Sequence, residues 1–150
     1  MTIGVGGSTA EIELNKLSDM TLKSVPIKKS EFQARIAKAM FLMEKSDVDA
    51  IYLNAGTNLY YFTGTKWYPS ERLVGALLYA SGEIDYICPK FEEGTLQGFM
   101  EIEGNIHCWE EHESPYELFG HVLAKKEIQT SKIGLDESSS FFITDGLSIS

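Results

Sequence analysis

Leu73-Val74-Gly75-Ala76-Leu77-Leu78-Tyr79-Ala80, Ser81-Gly82-Glu83, Ile84-Asp85-Tyr86-Ile87-Cys88 is the stretch on which the fold turns. Two apolar runs of strand length flank a short polar link containing glycine, which predicts an antiparallel hairpin. Upstream, Ala50-Ile51-Tyr52-Leu53 is a third run, almost unbroken, and that pattern marks a strand covered on both faces and central in its sheet. Downstream, Ile106 to Trp109 and Ile133 to Leu135 read as further strands.

Helices fill the intervals. Phe32, Ile36, Ala39, Met40 and Met43 recur at helical spacing after Pro26, so a helix over about 30–45 is expected, with Ser30 and Gln33 as its capping box and the methionines in the core. Thr57 is placed as the cap of a short helix that Gly64 stops, and Phe91 to Phe99 as a modest helix turning Leu96 inward. Ser114-Pro115-Tyr116-Glu117 joins an N-cap, a proline at the first helical position and a glutamate in the first turn, the clearest helix start in the chain. Phe141 to Leu147 begins a last helix, with Ser138-Ser139-Ser140 as its cap. Strands alternating with helices, plus one hairpin, imply a three-layer α/β/α sandwich on a mixed sheet. Residues 1–25 are weakly patterned and read as a flexible, extended lead-in. Residues 26–150 then form one domain, truncated before the strand that should follow its final helix.

The bulk properties agree with one folded unit. A chain of 150 residues, 43% hydrophobic and 23% charged, is long enough to build a real core. Thirteen basic against 22 acidic residues give a net charge of −9, which offers nothing to phosphate backbones or anionic lipid, so neither nucleic acid nor membrane is an expected partner. Cys88 and Cys108 each sit in an apolar run and read as small hydrophobes, not a disulfide framework. The start carries no signal-peptide pattern, so the chain reads as cytoplasmic, or periplasmic should a leader have been removed.

Three groups of residues invite a chemical reading. His107, Cys108, Glu110, Glu111 and His112 are metal-ligand types, but neighbouring strand residues point to opposite faces, so His107 and Cys108 cannot reach one ion and the group reads as a strand end with solvated acids. The serine run has neither glycine elbow nor adjacent base, and His121 is a lone helical histidine. The loop Thr63 to Arg72 is the most informative: Trp67 and Tyr68 beside Pro69, followed by Glu71 and Arg72, combine planar contact surface with charge, as recognition surfaces do. Its plainer reading has the aromatics folded onto the core and Glu71 paired with Arg72 in solvent.

A family resemblance rests on pieces that recur in register. They are Pro26-Ile27 before the Arg35-bearing helix, Asp49-Ala50, Tyr61-Phe62-Thr63-Gly64, Trp67 with Ser70-Glu71-Arg72-Leu73, and Phe91-Glu92-Glu93. Trp109-Glu110-Glu111 with Glu113-Ser114-Pro115, and Phe141-Phe142 before Gly146, complete the series. From about residue 17 to 147 the chain resembles the N-terminal domain of bacterial Xaa-Pro peptidases of the M24 metallopeptidase family, the creatinase/prolidase type. The resemblance implies a parent whose C-terminal pita-bread domain holds two divalent metals, manganese, cobalt or zinc, on Asp, Asp, His, Glu and Glu ligands and cleaves the peptide bond before proline. None of those ligand motifs matches a position here, so no catalytic or metal residue is carried over. In similar proteins the N-terminal domain supports a homodimer or homotetramer, narrows the substrate channel and lends loop residues to a neighbour's active site. On that basis Trp67 and Arg72, with Tyr68 behind them, are the substrate-gating candidates. The rival expectations are a self-standing module that binds a small ligand or protein through the same loop, and the N-terminal domain of a creatinase-like amidinohydrolase.

Overall fold

The protein is described by a computed structural model covering residues 6–126, 132–136 and 139–149. Its element order is α1 (Ala10–Asn15), α2 (Lys29–Ser46), β1 (Ala50–Asn54), α3 (Thr57–Thr63), β2 (Gly75–Tyr79), β3 (Ile84–Pro89), a 3-10 turn (Lys90–Glu92), α4 (Glu93–Phe99), β4 (Asn105–Trp109), α5 (Pro115–Lys125), β5 (Ile133–Gly134) and α6 (Phe141–Ile149). The predicted hairpin is present: β2 and β3 pair antiparallel with Leu78 opposite Ile84, and Gly82 takes a positive φ of 88° in the link. Among the described residues the sheet has five strands in the order β4-β3-β2-β1-β5. β1 is antiparallel to β2, while β3–β4 and β1–β5 are parallel.

Continuous apolar runs became strands with no solvent face. Every residue of β2 and β3 is buried. Alternation divides the side chains between two cores. Leu53, Ala76, Leu78, Tyr86 and Cys88 meet Phe32, Ile36 and Met43 of α2, Leu59 of α3 and Leu96 of α4 on one face. Tyr52, Leu77, Tyr79, Ile87 and Trp109 meet Phe119 and Val122 of α5 and Ile143 of α6 on the other. Helices on both faces of one mixed sheet make the three-layer sandwich. Full burial of each large apolar side chain contributes about 1.5–3 kcal/mol, so the two cores carry the fold.

Several details differ from the sequence reading. Residues 10–15, expected to be extended, form the exposed helix α1, started by the Thr9 hydroxyl accepting from the Ile12 N–H at 3.3 Å. α2 begins one residue before Ser30; its N-cap is Lys28, without a side-chain cap, so the Ser30–Gln33 box is not used. Gly56, at φ 109°, caps α3, and Thr57 is its first helical residue. β1 lies one strand in from the edge, and β2 holds the centre. Ser114 does cap α5, accepting from Glu117 N–H at 3.3 Å, with Pro115 behind it. Ser140 contributes its carbonyl to the start of α6 through Ile143 N–H at 2.9 Å, while Ser138 lies outside the described residues.

Candidate functional site

The aromatic loop is rooted by the end of α3. Gly64 closes that helix in the left-handed region at φ 73°, and a side chain there would meet Phe32 Cε2 at 2.8 Å, so only glycine serves both needs. Thr63 is fully buried and donates its hydroxyl proton to Leu59 C=O at 2.6 Å, while Thr65 N–H donates to Thr63 Oγ1 at 3.2 Å. From this anchored root the chain turns outward. Trp67 is half-buried, edge-on to Phe99 with ring centroids 6.2 Å apart, and Tyr68 is 91% exposed. Pro69 then closes over Gly56, where a Cβ would lie 3.0 Å from its ring.

These residues wall a cleft of about 630 Å³ beyond the ends of β1 and β5. Its lining includes Asn54, Asn58, Tyr60, Lys66, Trp67, Tyr68 and Asp136. Asn58 donates its side-chain N–H to Asp136, tying α3 to the segment after β5. The crevice outside the carboxyl ends of parallel strands is where open α/β sheets bind ligands, because adjoining loops diverge there. With an indole held edge-on to Phe99, an ammonium group and side-chain amides, it suits a small ligand having a flat or ring-shaped apolar part and a polar end.

Arg72 belongs to a separate group and does not line this cleft. Its Nε donates to Glu111 Oε1 at 2.8 Å, Nη2 to Glu111 Oε2 at 3.5 Å and Nη1 to Glu71 Oε1 at 2.7 Å. The guanidinium also lies 5.6 Å from the Phe91 ring centroid. The hydrogen bond from Arg72 holds the Glu111 carboxyl below its usual range. Sequence reasoning placed Glu71 beside Arg72 but left Glu111 among solvated acids; 39 positions separate Glu111 from Arg72, so no local pattern links them. The Asn58–Asp136 contact was missed for the same reason, spanning 78 positions.

The metal-type residues stay apart, as strand alternation requires. His107 Nε2 lies 3.3 Å from Asp85 Oδ1, whereas Cys108 Sγ lies 4.0 Å from Cys88 Sγ on the opposite face. Glu110 caps a turn through its N–H to Glu113, and His112 and His121 are exposed. Among the described residues no three His, Cys, Asp or Glu side chains converge as a metal site, so these residues do not fit the two metals that the resemblance attaches to the parent. No helix among them is long and apolar enough to cross a membrane.

Comparison with known proteins bears on the family and the fold. An uncharacterized peptidase of Staphylococcus haemolyticus is 30% identical over 103 residues, covering 66% of this chain and 29% of its own length. The chain thus spans about three-tenths of the curated relatives it matches. Among solved structures, a prolidase from Thermococcus sibiricus superposes with a TM-score of 0.68 at 23% identity, over 83% of this chain and 33% of that one. The N-terminal domain of an Xaa-Pro dipeptidase from Lactobacillus brevis gives 0.69 at 12% identity, over 77% and 86%. The sequence profile of the Creatinase/Prolidase N-terminal domain matches residues 35–148, and the chain belongs to that family.

Proposed function

We propose that the chain serves as the non-catalytic N-terminal domain of a metal-dependent Xaa-Pro aminopeptidase or dipeptidase, contributing oligomerisation and substrate gating to hydrolysis next to proline. The observation that carries this reading is the family match over residues 35–148, joined to relatives named as peptidases of which the chain spans less than a third. The divalent metals, manganese, cobalt or zinc, belong to the catalytic domain. The partners are that domain, further copies of the chain in a homodimer or homotetramer, and proline-containing peptides, in a cytoplasmic setting. Trp67 and Tyr68 cover a proline ring from the cleft wall. Arg72 reads a substrate carboxylate by exchanging Glu111 for it, since a guanidinium fork suits either carboxylate.

The test is kcat/KM on an Xaa-Pro dipeptide and a proline-containing tetrapeptide, in the enzyme that carries this domain, at unchanged oligomeric state. Arg72→Ala is expected to reduce dipeptide turnover by roughly tenfold to a hundredfold and the longer substrate by less. Equal losses on both would remove carboxylate reading; no loss on either would return the loop to a structural role. The isolated chain is expected to bind no manganese, cobalt or zinc tightly by calorimetry, and a stoichiometric site abolished by His107→Ala would contradict that.

The cleft itself favours a second reading, a module that binds a small ligand on its own. Ligand-induced quenching of Trp67 fluorescence in the isolated chain, lost in Trp67→Phe, would support it over the gating role.

A further inference from the structure

The two cysteines, read from sequence as independent small hydrophobes, are brought together by the sheet. Register pairs Cys88 of β3 directly with Cys108 of the parallel strand β4. Their Sγ atoms lie 4.0 Å apart, on the face covered by α2, α3 and α4. Directly paired residues on neighbouring strands are about 4.8 Å apart. That separation falls within the Cα spacing of about 4.4–6.8 Å that a disulfide bridges, so side-chain rotation suffices and the backbone need not move. The two thiols also differ in access: Cys88 has no exposed surface and Cys108 is half-buried. An accessible thiol with a second one held behind it is the arrangement of an attacking and a resolving cysteine.

We propose that Cys88 and Cys108 form a reversible cross-strand disulfide, with Cys108 reacting first and a low-molecular-weight disulfide as the oxidant. Cys108 gives its proton to solvent and its thiolate attacks one sulfur of the small disulfide. That S–S bond breaks, releasing one small thiolate, which takes up a proton. Cys88 then loses its proton and attacks the Cys108 sulfur of the mixed disulfide, releasing the second small thiol. Two protein thiols are oxidised and one small disulfide is reduced to two thiols; excess dithiol reverses both steps.

Two features set the rate and the consequence. Burial is the largest influence on both thiols and pushes both up; their mutual contact comes next, raising Cys88 and lowering Cys108, with Glu93 adding to burial and Lys90 opposing it at Cys108, while Glu92 and Glu93 add to it at Cys88. Thiolate is therefore scarce near neutrality, and exchange accelerates roughly tenfold per pH unit as pH rises. Phe91 and Glu111, which flank the Arg72 guanidinium, each follow one of these cysteines by a single short step of chain. The bond would tie together the two segments that carry them.

The experiment incubates the folded chain with oxidised glutathione across a pH series, quenches with acid, alkylates with N-ethylmaleimide in denaturant and reads intact mass. The expected product is monomeric, lighter by two hydrogens, takes up no alkyl group and reverts with dithiothreitol. Cys88→Ala should stop at a single glutathione adduct, and Cys108→Ala should react at least about tenfold more slowly. Peptide mapping of the first adduct in the native-sequence chain gives the same order without relying on the variants' folding. Doubly glutathionylated chains, disulfide-linked dimers as the main product, or a first adduct on Cys88 would overturn the proposal.

Discussion

Asp85 and Arg72 each gather three partners, yet Asp85 is buried and Arg72 lies partly in solvent. Asp85 is 1% exposed and receives Tyr79 Oη–H at 2.9 Å and Asn105 Nδ2–H at 2.8 Å, with His107 Nε2 at 3.3 Å. Arg72, whose side chain is 37% exposed, holds Glu71 and Glu111 and rests by Phe91. Water can replace the partners of Arg72 but not those of Asp85. A similar set of contacts therefore fixes strands in one place and leaves an exchangeable cation in the other.

The largest expected effect tests the buried end of this contrast. Asp85→Ala strands the Tyr79 hydroxyl in the core and removes the charged acceptor of two hydrogen bonds at once, and chemical denaturation should show a loss of about 3–5 kcal/mol. A loss near that of a surface substitution would mean that water reaches the cluster and that the contrast is false. Tyr79→Phe removes a single hydrogen bond to the carboxylate and should cost about 1.5–3 kcal/mol in the same measurement.

Acid provides a third measurement. Burial pushes the Asp85 carboxyl up, but Asn105, Tyr79 and His107 together outweigh it and leave it below its ordinary value of 3.8. A carboxyl depressed in the folded state stabilises fully above its unfolded pKa and loses that contribution as pH falls through the folded value. The native chain should therefore lose stability below about pH 4 more steeply than Asp85→Asn, which keeps the shape without the titration. Parallel curves would assign the acid sensitivity to other groups. The smallest effect belongs to Arg72: Arg72→Ala should leave the denaturation midpoint unchanged within error, and a clear drop would show that its acidic cradle is structural.

How far the sequence disclosed this molecule depended on the range of the interaction. The hairpin, the Ser114 cap, the Gly64 stop and the inward Leu96 are each encoded within a few residues, and each formed as read. Helix starts without a distinctive cap were misplaced: Lys28 and Gly56 precede α2 and α3, where no side-chain hydrogen bond marks the boundary. At the candidate site, Trp67 and Tyr68 were legible because aromatics beside a proline announce an exposed loop. Asp136, Glu111 and the Cys88–Cys108 pairing were not. They depend on which strand lies beside which, and that is decided by the two cores together.

The strand order also bears on the route by which the chain folds. β1, β2 and β3 are neighbours in sequence and in space, so their antiparallel meander closes with little loop entropy. β5 is joined to β1 by only two paired residues, and the contact of Lys132 N–H with Asp49 spans 83 positions. The meander should be structured in the rate-limiting step, with the wall of the cleft that includes Asp136 assembled afterwards. Core truncations such as Leu77→Ala would then slow refolding, whereas Ile133→Val would chiefly hasten unfolding. The aromatic loop would be walled in only by the last strand to arrive, and the cleft could open locally while the rest of the sheet stays closed.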